Sequence, residues 1–193
     1  MDRETRRYWQ AQRRQMLRRD RQMRGYGGDT VVTAILIALM AVSYLIERFL
    51  PGVVNLAAAT SVGPAILLLW SALFPGSLLG LVFAGVFVWI VGSQLEAMTA
   101  WWQYLLIFFA SGLLGSLAAR LIAGGLVGGT FAAFGLAGAY VMAMANRRVG
   151  GMAQWALILL AINVVLSGFN PSALAGMLGA FIVGLLAARV LDV

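Results

Sequence analysis

The sequence predicts an all-α polytopic membrane protein with six transmembrane helices, and three observations predict it. Hydrophobic residues make up 62% of the 193-residue chain and charged residues only 11%, with a mean hydropathy of +0.89, far outside the ranges of a soluble domain. After the first thirty residues, almost the whole chain divides into apolar stretches of the roughly 20 residues that cross a hydrocarbon core of about 30 Å. Runs such as Ala65 to Trp70 lack the period-2 alternation that a membrane β-barrel requires.

Composition also excludes chemistry. The chain has no Cys and no His, which removes disulfides, thiol redox chemistry and the commonest acid, base and metal ligand. The seven carboxylates stand at residues 2, 4, 20, 29, 47, 96 and 192, too scattered to give metal-ligand spacing from sequence neighbours. No metal or other cofactor is expected, and no nucleic-acid partner. All fourteen positive charges are arginine.

Residues 1–29 form an Arg-rich N-terminal segment ahead of a transmembrane domain over residues 30–193. The segment carries nine arginines against four acids. Trp9, Met16 and Met23 recur every seven residues, so a helix here would bear a thin apolar stripe on a basic cylinder. Arg13, Arg14, Arg18 and Arg19 are candidates for binding the membrane surface, anionic lipids included, or an acidic partner. The plain alternative is a solvated tail whose arginines only fix topology. Gly25, Gly27 and Gly28 close the segment as a hinge.

Val31 to Leu50 is the first span. Its apolar run is too long, and its charged leader too extended, for a cleaved secretory signal, although Ala57-Ala58-Ala59 imitates a cleavage site. Glu47 and Arg48 fall in its last turn, at interfacial depth. Pro51 to Ser77 is the longest connection; within it Ala65 to Phe74 is too short to cross and reads as a re-entrant or interfacial helix, with Trp70 at headgroup level. Leu78 to Glu96 is the second span, and Trp101 to about Ala119 the third, opening on an aromatic belt and carrying a close-packing face at Gly112 to Ser116.

The glycine-rich stretch Ala123 to Gly129 lacks the Lys and Ser/Thr of a phosphate-binding loop. Its glycines, Gly128 and Gly129 among them, instead let the backbone turn and enter a closely packed fourth span, Thr130 to Ala145. Gly135 and Gly138 make one side of that span smooth, which suits a central helix. Met152 to Ser167 is the fifth span, with Asn163 as its one strongly polar residue. Ser172 to about Arg189 is the sixth, its small residues at 176, 179, 180 and 184, including Gly176 and Gly179, placed to pack on the fourth.

Three ordered segments carry a family resemblance. Gly128-Gly129-Thr130-Phe131-Ala132-Ala133-Phe134-Gly135-Leu136-Ala137-Gly138-Ala139-Tyr140 resembles the rhomboid intramembrane protease pattern G-x-S-G-A-x-x-G-x-x-G-A-Y. Phe87 to Glu96 is similar to the rhomboid segment L-W-x-F-G-x-x-L-E, with Trp89, Gly92, Leu95 and Glu96 in register. Ala173 to Ala180 is similar to H-x-G-G-x-x-A-G. The resemblance implies a six-helix rhomboid-like bundle with a membrane-dipping first loop, and it assigns the family's functional positions. Thr130 stands at the serine nucleophile, Ala173 at the histidine base, Ala84 at the oxyanion-hole asparagine and Gly80 at the histidine four residues before it. Glu96 reads as a structural cap or interfacial group at a helix end.

Intramembrane hydrolysis needs a nucleophile, a base within about 3 Å of it and donors aimed at the oxyanion. Ala173 accepts no proton, and arginine stays protonated. The expectation is therefore no enzyme. The resemblance to inactive members of the superfamily implies a protein that binds transmembrane helices of other membrane proteins, as scaffold or accessory subunit of a larger complex. The alternative is a carrier for lipid, pigment or another apolar small molecule. Nine leader arginines with Arg147, Arg148 and Arg189 on one side, against Arg48 and Arg120 on the other, predict a cytoplasmic amino end, in a bacterial cytoplasmic membrane.

Overall fold

The computed structural model describes residues 30–60, 63–123, 129–147 and 170–193, with Gln154, Ile158, Ala161, Ile162 and Val165 between the last two segments. The described residues are helical throughout their regular parts. The helices are α1 (Val31–Phe49), α2 (Pro51–Ala58), α3 (Gly63–Leu73), α4 (Leu78–Phe87), α5 (Ser93–Glu96), α6 (Trp101–Ala123), α7 (Gly129–Asn146) and α8 (Pro171–Val190). A π-helical turn, Val88–Gly92, joins α4 to α5, so Leu78–Glu96 is one continuous apolar span.

Local chemistry sets the helix starts. Ser77 caps α4, its hydroxyl accepting the Gly80 amide at 3.0 Å, after a turn in which Gly76 takes a positive φ of 75°. Asn170 caps α8, accepting from the Ser172 amide at 3.0 Å, and Pro171 occupies the first turn where a missing N–H costs nothing. Thr30 offers α1 no side-chain cap; its cap comes from elsewhere in the chain.

Among the described residues, four helices are long and apolar enough to cross a membrane: Val31–Phe49, Leu78–Glu96, Trp101–Ile122 and Pro171–Val190. Phe131–Asn146 is a shorter apolar helix, and it is the innermost one: every residue from Phe131 to Tyr140 is buried. The protein is an integral membrane protein. The expected fifth span falls mostly outside the described residues; Gln154, Ile158, Ala161, Ile162 and Val165 within it are helical and exposed.

Hydrogen bonds between helix ends show which ends share a membrane face. Glu96 reaches the start of α1, Gln103 at the start of α6 donates to the Leu191 carbonyl, and Asn146 at the end of α7 donates to the Val193 carbonyl. One face therefore gathers the start of α1, the end of α5, the start of α6 and the ends of α7 and α8. The third span runs four residues further than the sequence indicated, to Ala123.

The first connection is two helices rather than one, and α3 dips. Ala72, fully buried, lies against Gly112, which stands at the centre of the 23-residue α6, about 17 Å from either end at the helical rise. The end of α3 is thus level with the middle of α6. A helix end in hydrocarbon leaves carbonyls without water. Ser43 of α1 answers this, its hydroxyl 3.0 Å from the Leu73 carbonyl and 2.8 Å from that of Met40.

Candidate functional site

The site region is built where α6, α7 and α8 meet through small residues. A methyl group at Gly135 would fall on the Ser111 side chain of α6, and one at Gly138 on the backbone of Phe181 and Leu185 in α8. A methyl at Gly184 would fall on the Gly135 carbonyl. The α7 and α8 backbones are thus in direct contact, the close approach that only glycine permits and that van der Waals packing between membrane helices favours. Ser111, fully buried, turns its hydroxyl back onto its own helix, at 2.6 Å from the Ile107 carbonyl and 3.1 Å from that of Phe108.

These contacts fix depth. Gly135 is six residues from the start of α7, while its neighbour Ser111 is twelve from the end of α6. At about 1.5 Å per residue, α7 begins roughly 9 Å inside the end of α6. Two further contacts bring other helices to that sunken start. The Phe131 ring covers Gly176 of α8, where an added methyl would collide with it. Phe87 of α4 and Phe134 of α7 have ring centroids 5.5 Å apart, tilted by 51°. Ala84 stands three residues before Phe87 on α4, Ala173 three before Gly176 on α8, and Thr130 directly before Phe131 on α7.

Residues 63–192 match the model of the rhomboid domain family. The chain belongs to the rhomboid family. Comparison with curated proteins and with solved structures gives no match.

Each position assigned from the rhomboid motifs can now be placed. Thr130 lies in the first turn of α7, its side chain outside what is described. Ala173 is partly buried and packed on the core. Ala84 is buried. Gly80 is held tightly: a side chain there would press on the Pro75 carbonyl at 2.5 Å and on the Ser77 hydroxyl at 3.1 Å. Phe131, where the rhomboid pattern has glycine, is buried with its ring on Gly176.

Among the packing residues, Gly135 lies against α6 and α8, Gly138 against α8, and Gly176 against the Phe131 ring of α7. Gly179 faces α6 rather than α7, with an added methyl 3.1 Å from the Ala118 methyl. The reason is angular: three residues after Gly176, it has turned about 300° around the helix. Gly129 opens α7, whereas Gly128 and the leader residues Arg13, Arg14, Arg18 and Arg19 lie outside the described residues.

Glu96 caps α1, not its own helix. Its carboxylate accepts the Val32 amide at 2.8 Å, the Thr33 amide at 2.8 Å and the Thr33 hydroxyl at 2.6 Å. The Tyr104 hydroxyl of α6 lies 3.0 Å from the Thr33 oxygen. Thr33 has already given its single proton to the carboxylate, so Tyr104 is the donor. A negative charge at the positive end of the 19-residue α1 is favourable, and the chain of bonds ties the first three spans at one face. Sequence reasoning noted Glu96 but missed Thr33 and Tyr104, because nothing along the chain announces a partner 63 or 71 residues away. The only sequence signal was a lone threonine in the first turn of an apolar span.

Proposed function

We propose that this rhomboid-family protein is non-catalytic and binds transmembrane helices of partner proteins, as a scaffold or accessory subunit of a larger membrane complex. The observation that carries the reading is the set of side chains at the motif positions. Thr130 stands at the nucleophile, with Ala173, Ala84 and Gly80 where base and oxyanion donors belong, in a chain with no histidine. Loss of the nucleophile or base alone costs a serine protease about 10⁶-fold in turnover, and neither alanine nor glycine offers a side-chain proton acceptor. The Phe131 ring over Gly176 supports the same reading, since it occupies space between the two helices that bear the nucleophile and base positions.

The close packing of α6, α7 and α8 is retained beside these substitutions. Retained scaffold with discarded chemistry favours recognition of other helices over turnover. The arginine distribution supports an amino end on the cytoplasmic side of a bacterial inner membrane. Gentle extraction of the full chain, followed by mass spectrometry of the intact assembly, tests the proposal. Stoichiometric membrane-protein partners are expected; free monomer in every mild detergent overturns it, as does a bound apolar small molecule with no protein partner. Thr130→Val should leave the cleavage of any transmembrane reporter unchanged, and a loss of cleavage on that substitution would establish an enzyme.

A further inference from the structure

We infer that Arg189 grips the phosphate of an anionic phospholipid headgroup at the end of α8, with Arg147 adding charge to the same site. Depth is the first observation. Gly115 of α6 lies against Ala180 of α8, and Gln103 bonds to the Leu191 carbonyl. Arg189, two residues before Leu191, therefore stands level with Leu105, four residues and roughly 6 Å inside the start of α6. Trp101 and Trp102, both exposed, mark the headgroup level at that start. Arg189 is exposed as well, on the helix face that carries the exposed Ile182, Leu186 and Val190. An arginine thus faces lipid about one helical turn inside the headgroup level, where charge is expensive.

The second observation is how little of the protein its guanidinium can use. A basic residue in the last turn of a helix ordinarily serves the terminal carbonyls. Here the carbonyls of Ala187 and Ala188 accept the Leu191 and Val193 amides, that of Leu191 accepts from Gln103, and that of Val193 from Asn146. Among the described residues the Arg189 side chain has no hydrogen-bond partner, and Asp192, exposed three residues on, makes no ion pair with it. The whole donor fork is left over. The long side chain can carry that fork to the headgroup level, where the abundant group matching a planar guanidinium is phosphate. Arg147, exposed just past the end of α7, comes to the same face because its neighbour Asn146 bonds to Val193. Glu96, the carboxylate that α5 brings to this face, is already committed to three donors of α1. The positive excess that remains favours an anionic over a zwitterionic lipid.

The test titrates the full chain in mixed micelles with phosphatidylglycerol or phosphatidylcholine and counts retained lipid by mass spectrometry of the intact protein. Variants are compared with the unaltered chain, so lipid held elsewhere cancels. Phosphatidylglycerol should bind more tightly than phosphatidylcholine. Arg189→Gln should weaken it about tenfold, the scale of a charge-assisted hydrogen bond, and Arg147→Gln about fivefold, as one basic residue near a surface. Arg189→Lys keeps the charge without the fork and should lie between the glutamine variant and the unaltered chain; it decides the matter if the glutamine variant fails to fold. Arg48→Gln, at the far end of α1 on the opposite face, should change nothing. Equal retention of the two lipids overturns the inference, as does an Arg189→Gln protein that binds phosphatidylglycerol like the unaltered chain. Displacement of the lipid by an excess of inorganic phosphate also overturns it, since the site would then take free phosphate.

Discussion

Substituting Gly184 by alanine tests the packing argument most directly. The added methyl would lie 2.6 Å from the carbonyl carbon of Gly135 and 2.8 Å from its Cα, well inside ordinary contact. These atoms are backbone in the middle of a buried helix and cannot rotate away. The two helices must part by about 1 Å, which in a well-packed interior costs typically 1 to 3 kcal/mol; the upper end, about 3 kcal/mol, is expected here. Gly138→Ala should behave alike, since it meets the Phe181 and Leu185 backbone. Two other glycines are internal controls. Gly179→Ala meets only a methyl at 3.1 Å and should cost well under half as much, and Gly85→Ala, with its nearest neighbour 3.8 Å away, should be close to neutral. Reversible unfolding in mixed micelles gives the order: 184 and 138 severe, 179 mild, 85 silent. Equal stability of all four variants, or a Gly85 variant as damaged as the Gly184 one, would refute the close approach of α7 and α8.

The Glu96 cap gives a second expectation. Glu96→Gln removes the charge from a site that accepts three hydrogen bonds, and should cost about 2 kcal/mol, the scale of a charge-assisted bond combined with a helix-dipole contact. Thr33→Val should cost about 1 to 2 kcal/mol by stranding the buried Tyr104 hydroxyl. The double variant should be milder than the sum by at least about 0.5 kcal/mol; strict additivity would show that the two residues do not share a network. Ser43→Ala should free the Leu73 carbonyl at the level of the middle of α6 and loosen α3, raising amide exchange near residue 73 at a cost of about 1 kcal/mol. Unchanged exchange there would remove the dipping connection from the argument.

The helical spans were legible because a bilayer imposes one requirement on every residue that crosses it, and hydrophobic length records that requirement locally. The caps at Ser77 and Asn170 are equally local, each accepting a backbone amide within three residues. Smallness at helical spacing makes a smooth face wherever it occurs, and Gly135, Gly138 and Gly176 read as such from the sequence alone. Their partners were less legible: Gly179 turned to α6 rather than α7, and the π-helical turn at Val88–Gly92 left no mark on an apolar run in which every register buries about the same area.

By itself, then, the sequence determined that this is a rhomboid-like helical membrane protein and where its described spans lie, since hydropathy and residue identity are properties of the chain one residue at a time. Only the tertiary structure decided that Phe131 lies over Gly176, that Glu96 caps a helix 63 residues upstream, and that α7 begins inside the bundle. Those facts depend on distances between residues remote in the chain, which are set when helices in lipid, all nearly equal in hydrophobicity, sort themselves by shape and by the few polar groups that must find partners.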